Sequence, residues 1–193
     1  MSVNRTLNQA FIRLQVRALI LLGQRQLALQ RVDDLLAHSE HDAYALATRA
    51  HLLAELGDKP GAQQALQQLV AAQPGKAAGW FNLGYLSEEM GQLEQAEAAF
   101  RRATELDPTL DRAWYGLALS LIRQRRFDDA VTALRKNTEL QPMSPYGWYQ
   151  LARVHVDRQE PDEAAKIIRH LRKFEPKVAA QLERETGLGQ AQA

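Results

Sequence analysis

The chain has 193 residues, 46% of them hydrophobic, and its 24 Lys and Arg against 23 Asp and Glu leave a formal charge of +1. That is enough apolar material for a buried core, and it lacks the basic excess that counterion-driven nucleic-acid binding leaves in a composition, so no nucleic-acid partner is expected. The absence of cysteine excludes disulfides, thiolate nucleophiles and Cys-ligated zinc.

The most apolar run, Ala18-Leu19-Ile20-Leu21-Leu22, lies where the core of a signal peptide would lie. Arg13 and Arg17 interrupt the stretch before it, no small-residue cleavage pattern follows Gly23, and nowhere do the roughly 20 apolar residues of a membrane span follow one another. The expectation is a cytoplasmic protein without membrane insertion.

Shifting the chain against itself by 34 residues brings Trp80, Trp114 and Trp148 into one column and Pro74, Pro108, Pro142 and Pro176 into another. Leu83, Leu117 and Leu151 follow each Trp by three residues, with Gly84, Ala118 and Ala152 next. Ala62, Ala96, Ala130 and Ala164 make a further column, and Leu66, Phe100, Leu134 and Ile168 stand four residues beyond it. The register runs back more faintly through Leu46, Ala50 and Leu53, then through Ile12, Val16, Leu19, Ala28 and Val32. The units so defined are 9–42, 43–76, 77–110, 111–144 and 145–178.

Each unit reads as two helices. Over 111–124, Trp114, Leu117, Ala118 and Leu121 recur at spacings of three and four, and Ala130, Val131 and Leu134 do the same in the helix that follows. Gly57 and Gly91 stand where a first helix must stop, because glycine tolerates the left-handed conformation there, and each late proline closes a second helix. Ser144-Pro145 predicts an N-cap followed by proline in the first turn. The alanine column predicts close helix approach, with large neighbours filling the grooves. Beyond the last unit, Val178, Leu182 and Gly187 predict a short final helix over 177–186 that shields the end of the stack, with Gly189–Ala193 frayed.

These columns resemble the tetratricopeptide-repeat (TPR) family, whose W-x2-L-G-x2-Y, A-x3-F and P signature is matched best by Trp80, Leu83, Gly84, Ala96, Phe100 and Pro108. The first unit departs from it, with Ile12, Val16 and Glu40 where Trp, Gly and Pro belong, as terminal repeats that cap a stack commonly do. The resemblance implies an all-α, right-handed superhelical solenoid of five helix-turn-helix hairpins plus a C-terminal capping helix, forming a single domain over 1–193. It also implies that the first helices line a concave groove.

First-helix residues pointing away from the Trp/Leu face make the candidate partner-binding groove. The first unit supplies Arg13 and Arg17, the second Tyr44, Thr48 and His51, and the third Phe81, Asn82, Tyr85 and Glu89. The fourth adds Arg112, Tyr115, Leu119 and Arg123, and the fifth Tyr146, Tyr149, Gln150 and Arg153. All five tyrosines of the chain are in this set, although a merely solvated face would carry Lys, Glu and Gln. Tyrosine and arginine are enriched at protein-binding hot spots, which makes another protein, bound as a peptide segment or helix, the expected partner. A second reading of Tyr85, Tyr115 and Tyr149, as filler between adjacent first helices, stays open.

Some TPR domains hold a C-terminal carboxylate with a clamp of lysine, asparagine and arginine. Asn82 and Arg112 occupy clamp-like places, but Ala47, His51 and Gly116 stand where other clamp residues belong, so the pattern is incomplete. His38-Ser39-Glu40-His41-Asp42 has the residue types of a metal site but reads as a solvated linker between units. No nucleophile is paired with His51, His155 or His170, and Gly187-Leu188-Gly189 follows the last helix, the wrong context for a phosphate loop. The basic run Arg123, Arg125, Arg126 and the acids Glu94, Glu97, Asp128 and Asp129 read as solvated helix ends that complement the helix dipole. The sequence therefore predicts a non-enzymatic adaptor or scaffold without cofactor or metal, or alternatively a dedicated chaperone or assembly factor for an enzyme or secretion substrate. Self-association stays open.

Overall fold

A computed structural model of the chain describes residues 2–188, with side chains from residue 8 onward; the tail Gly189–Ala193, expected to fray, lies outside the described residues. Among the described residues every regular element is a helix. The chain divides into two compact units, Met1–Met90 and Gly91–Ala193.

The first unit holds α1 (Ser2–Leu21), α2 (Arg25–His38), α3 (Ala43–Glu55), α4 (Lys59–Ala72) and α5 (Ala77–Glu89), each packed on the next. The second holds α6 (Leu93–Leu106), α7 (Asp111–Arg123), α8 (Phe127–Leu140), α9 (Pro145–Asp157), α10 (Pro161–Arg172) and α11 (Pro176–Thr186). Consecutive helices again pack on one another, and α11 touches α9 as well as α10. First helices begin at Ala43, Ala77, Asp111 and Pro145, in step with the 34-residue register. The expected final helix is present, starting at Pro176. The first helix departs from the expectation: it starts at Ser2, ahead of residue 9, with no proline or glycine between them to stop it.

The local signals act through backbone chemistry. Asp42 and Asp58 cap α3 and α4, their Oδ1 atoms accepting from the amides of Ala45 (3.0 Å) and Gly61 (2.9 Å). Ser144 stands at the N-cap of α9 but makes no side-chain capping bond; Pro145 in the first turn, which has no N–H to satisfy, starts the helix. The helix-stop column runs further than its glycines. Gly23, Gly57 and Gly91 have φ of 71°, 86° and 76°, and the same turn in the next two hairpins puts Arg125 at 59° and Gln159 at 61°.

The tryptophan and proline columns are one device. The indole N–H of Trp80, Trp114 and Trp148 donates to the carbonyl of Pro74, Pro108 and Pro142, each at 2.9 Å. Each half-buried Trp thus ties the start of a first helix to the turn that precedes it, satisfying a carbonyl that proline's geometry leaves outside the helix ladder. The alanine column is the tightest part of both cores. Ala28, Ala62, Ala96, Ala130 and Ala164 are all fully buried, and Phe100, Leu134 and Ile168 fill the space beside it in the second unit.

Candidate functional site

In the first unit two of the predicted residues, Arg13 and Arg17, gather around Tyr44. This ring is half-buried against the core cluster of Val16, Val32 and Leu52. The guanidiniums of Arg13 and Arg17 lie over it, 5.2 and 5.9 Å from its centroid, and Arg13 Nη2 reaches Asp42 Oδ2 at 2.6 Å. Tyr44 is therefore both filler and a cation platform. His51 is exposed, its Nε2 3.8 Å from Glu55 Oε1, and Glu55 also receives Arg25 Nε at 2.6 Å. That hydrogen bond holds the Glu55 carboxyl below its ordinary value, against the effect of desolvation. On α5, Phe81 is half-buried and Asn82 exposed, while Tyr85 is exposed and donates its hydroxyl to Glu89 Oε1 at 3.0 Å. That bond raises the Tyr85 hydroxyl above the usual phenol range.

In the second unit α7 carries Arg112 and Arg123 exposed and Tyr115 half-buried. On α9, Tyr146 is the most open aromatic of the set at 70% exposure, and Gln150 is half-buried. Tyr149 and Arg153 act together. The guanidinium of Arg153 lies 5.8 Å from the Tyr149 ring centroid, its Nη1 is 3.4 Å from the Tyr149 hydroxyl, and that hydroxyl donates to Glu185 Oε2 at 2.7 Å. Glu185 comes from α11 and also accepts from Gln181 at 2.8 Å. The bonds from Gln181 and then Tyr149 hold the Glu185 carboxyl below its ordinary value, and the Tyr149 contact raises Arg153. This arrangement seats a carboxylate on a tyrosine hydroxyl backed by an arginine.

Glu185 and Asp42 are the residues that sequence reasoning missed. Glu185 stands 36 residues from Tyr149 on a helix read only as a cap, so no local signal joined the two.

Gly116 has a steric cause. A Cβ there would lie 2.5 to 2.9 Å from three atoms of the Phe100 ring, so the position is small because Phe100 of α6 occupies the space. The reading of Glu97 and Arg126 as solvated helix ends is corrected by the structure. Glu97 of α6 is largely covered and accepts from Arg101 (2.9 Å), Gln124 (3.0 Å) and both bonds of Arg126 Nη1 (2.8 and 2.7 Å). Partial burial works to raise its carboxyl, and the hydrogen bonds from Arg101, Gln124 and Arg126 outweigh it, leaving the group below its ordinary 4.5. His155, read as scattered, is buried at the end of α9 with Nδ1 2.6 Å from Glu160 Oε2. Among the described residues no three His, Asp or Glu side chains gather as a metal would require, and no helix is long and apolar enough to cross a membrane.

Three family models, each described as tetratricopeptide repeat, match residues 47–111, 88–148 and 145–170, which together span more than half of the chain. The chain belongs to the tetratricopeptide-repeat family. No curated protein sequence matches it significantly. Among solved structures, a crystal structure of MamA protein aligns with a TM-score of 0.79 at 18% identity over 96% of both chains. A MamA fragment from residue 41 onward of Desulfovibrio magneticus RS-1 aligns at 0.77 and 20% identity, over 92% of this chain and 96% of that one. YrrB, described as a TPR protein with an unusual peptide-binding site, aligns at 0.77 and 16% identity over 88% of both chains. At these identities the likeness carries the fold, a TPR helical solenoid, and that fold supports a protein-interaction module.

Proposed function

We propose that this TPR protein is a non-enzymatic adaptor or scaffold, and that the first-helix face of its second unit holds a segment of a partner protein. The observation that carries the reading is the Tyr149–Arg153 pair seated on the Glu185 carboxylate, with Tyr146 open beside it in the same helix. Tyrosine and arginine offer large contact area and directional polar bonds together, the combination that concentrates binding energy at interfaces. Tyr115, Arg112 and Arg123 give α7 the same character, so the fitting partner is an extended segment or helix bearing acidic and apolar side chains. The likeness to YrrB, a TPR protein with a peptide-binding site, supports this reading.

The test is capture from the native cell, comparing wild type with Tyr115→Ala/Tyr149→Ala/Arg153→Ala and with a second-helix control, Arg102→Ala/Arg135→Ala. A partner retained by wild type and control and weakened roughly 30-fold or more by the triple variant, at matched thermal stability, is the expected outcome. Equal retention by all three proteins would sink the assignment of this face.

A further inference from the structure

The site on α9 already holds a carboxylate, and it is the chain's own. Glu185, exposed near the end of α11, accepts the Tyr149 hydroxyl at 2.7 Å and the side-chain amide of Gln181 at 2.8 Å. α11 is brought there by α9 and α10 together: it packs against both, buries Ala179 and Leu182, and pairs Glu183 with Arg172 of α10. Those contacts keep the helix seated whether or not Glu185 keeps its bond. The Glu185 side chain can therefore turn away without α11 moving, and Gln181 and solvent remain to receive it.

Stoichiometry limits the site to one acid at a time. A phenol has a single proton to donate, and that of Tyr149 is committed to Glu185. Arg153 is committed less completely. Its Nη1 donates to the Tyr149 oxygen at 3.4 Å, and among the described residues no carboxylate pairs with it directly; Glu185 and Asp157 act on it through their charge. A second carboxylate that comes to the remaining guanidinium N–H groups meets the charge of Glu185 close by, and takes the Tyr149 proton only if Glu185 gives it up. The bond to be broken is exposed, where exchange for another acceptor costs little.

We infer, resting on the partner-binding reading of this face, that Glu185 is a built-in competitor of the partner, displaced from Tyr149 and Arg153 by a side-chain carboxylate of the bound segment. Two features favour an aspartate or glutamate over an uncharged side chain. The Tyr149 hydroxyl is seen seating a carboxylate, and Arg153 supplies a charge that an amide cannot use. Glu185 thereby sets a threshold for binding: an amide gains little from Arg153 and leaves Glu185 in place, while a carboxylate exchanges with it as an equal.

Binding of the full chain to an array of short peptides rich in acidic and apolar residues tests the exchange. The peptides are blocked at both ends, so that side chains supply the only carboxylates, and each has a counterpart with Asn and Gln in place of Asp and Glu. Wild type should prefer the acidic form. Glu185→Ala should bind it about 3- to 10-fold more tightly than wild type by fluorescence anisotropy, with binding of the counterparts unchanged. Glu185→Gln, which still accepts from Tyr149 but carries no charge, should fall between the two. Arg172→Ala loosens α11 and leaves Glu185 in place, so it should bind as wild type does; an equal gain there would mean that the whole helix moves and would overturn the inference. So would no preference for acids, a Glu185→Ala protein no tighter than wild type, or a gain shared by the amide counterparts. The face and the competition fail separately. Acidic peptides bound undiminished by Tyr115→Ala/Tyr149→Ala/Arg153→Ala refute the face, whereas loss in that variant with no gain in Glu185→Ala refutes the competition alone.

Discussion

Replacing Gly116 with alanine sets two effects against each other. Gly116 lies in the middle of α7, where helix propensity alone favours alanine by about 1 kcal/mol. The added methyl would meet Phe100 at 2.5, 2.6 and 2.9 Å, distances that real Cβ atoms do not show. Phe100 is 1% exposed and set among fully buried alanines, so the ring has nowhere to turn. Overpacking typically costs about 1–3 kcal/mol, and a ring that must shift together with its helix puts this site at the upper end. The net expectation is a loss of about 1–2 kcal/mol, read as a fall in melting temperature of roughly 2–4 °C per kcal/mol. A double-mutant cycle with Phe100→Leu separates the two effects. The shorter side chain makes room for the methyl, so Gly116→Ala should become neutral or stabilising in that background, with a coupling of about 1–3 kcal/mol. Urea denaturation of the four proteins measures it. A Gly116→Ala protein as stable as wild type, or additive effects in the cycle, would refute the packing of Phe100 against α7.

Arg125→Gly and Gln159→Gly should each stabilise the protein by about 0.5–1 kcal/mol in urea denaturation, since both residues hold the left-handed conformation that glycine adopts freely at Gly57 and Gly91. Ala130→Phe should lower the melting temperature sharply, because Ala130 is fully buried in the alanine column; an unchanged midpoint would mean that the helices do not approach as described. Glu97 has a carboxyl held below its ordinary value, so its contribution is fully present above pH 4.5 and is lost as pH falls through the lowered value. Wild type should therefore exceed Glu97→Gln in stability at pH 7, with the gap closing as the pH falls below the ordinary 4.5 and through the lowered value; a pH-independent gap would show that the Arg126 contact is electrostatically idle. Trp114→Phe should cost about 1 kcal/mol by removing the bond to the Pro108 carbonyl, and Trp114→His or Trp114→Gln should not restore it fully.

Much of the fold was legible because the repeat multiplies each weak signal. A single Trp80 or Pro74 says little, but three tryptophans and four prolines in register define helix starts and turns. What the columns could not show was that they are bonded to one another, since the indole-to-carbonyl contact spans six residues and belongs to no secondary-structure rule. The left-handed turns at Arg125 and Gln159 were invisible for a simpler reason: neither residue type announces positive φ. At the candidate site, composition pointed to tyrosines and arginines. It could not reveal that Tyr44 serves the core or that Tyr149 is engaged by α11, because those roles depend on partners in other helices, among them Val16 for Tyr44 and Glu185 for Tyr149. Nor could it separate the two sides of α1, whose apolar residues read alike until one face is seen packed and the other open.

The central claim, that a partner rests on the first helices of the second unit, is tested most directly by hydroxyl-radical footprinting of the chain with and without the protein it captures. Tyr146 and its neighbours Tyr115 and Tyr149 should lose reactivity in the complex while exposed side chains on α8 and α10 keep theirs. Unchanged tyrosine reactivity, with protection on α8 or α10 instead, would contradict it.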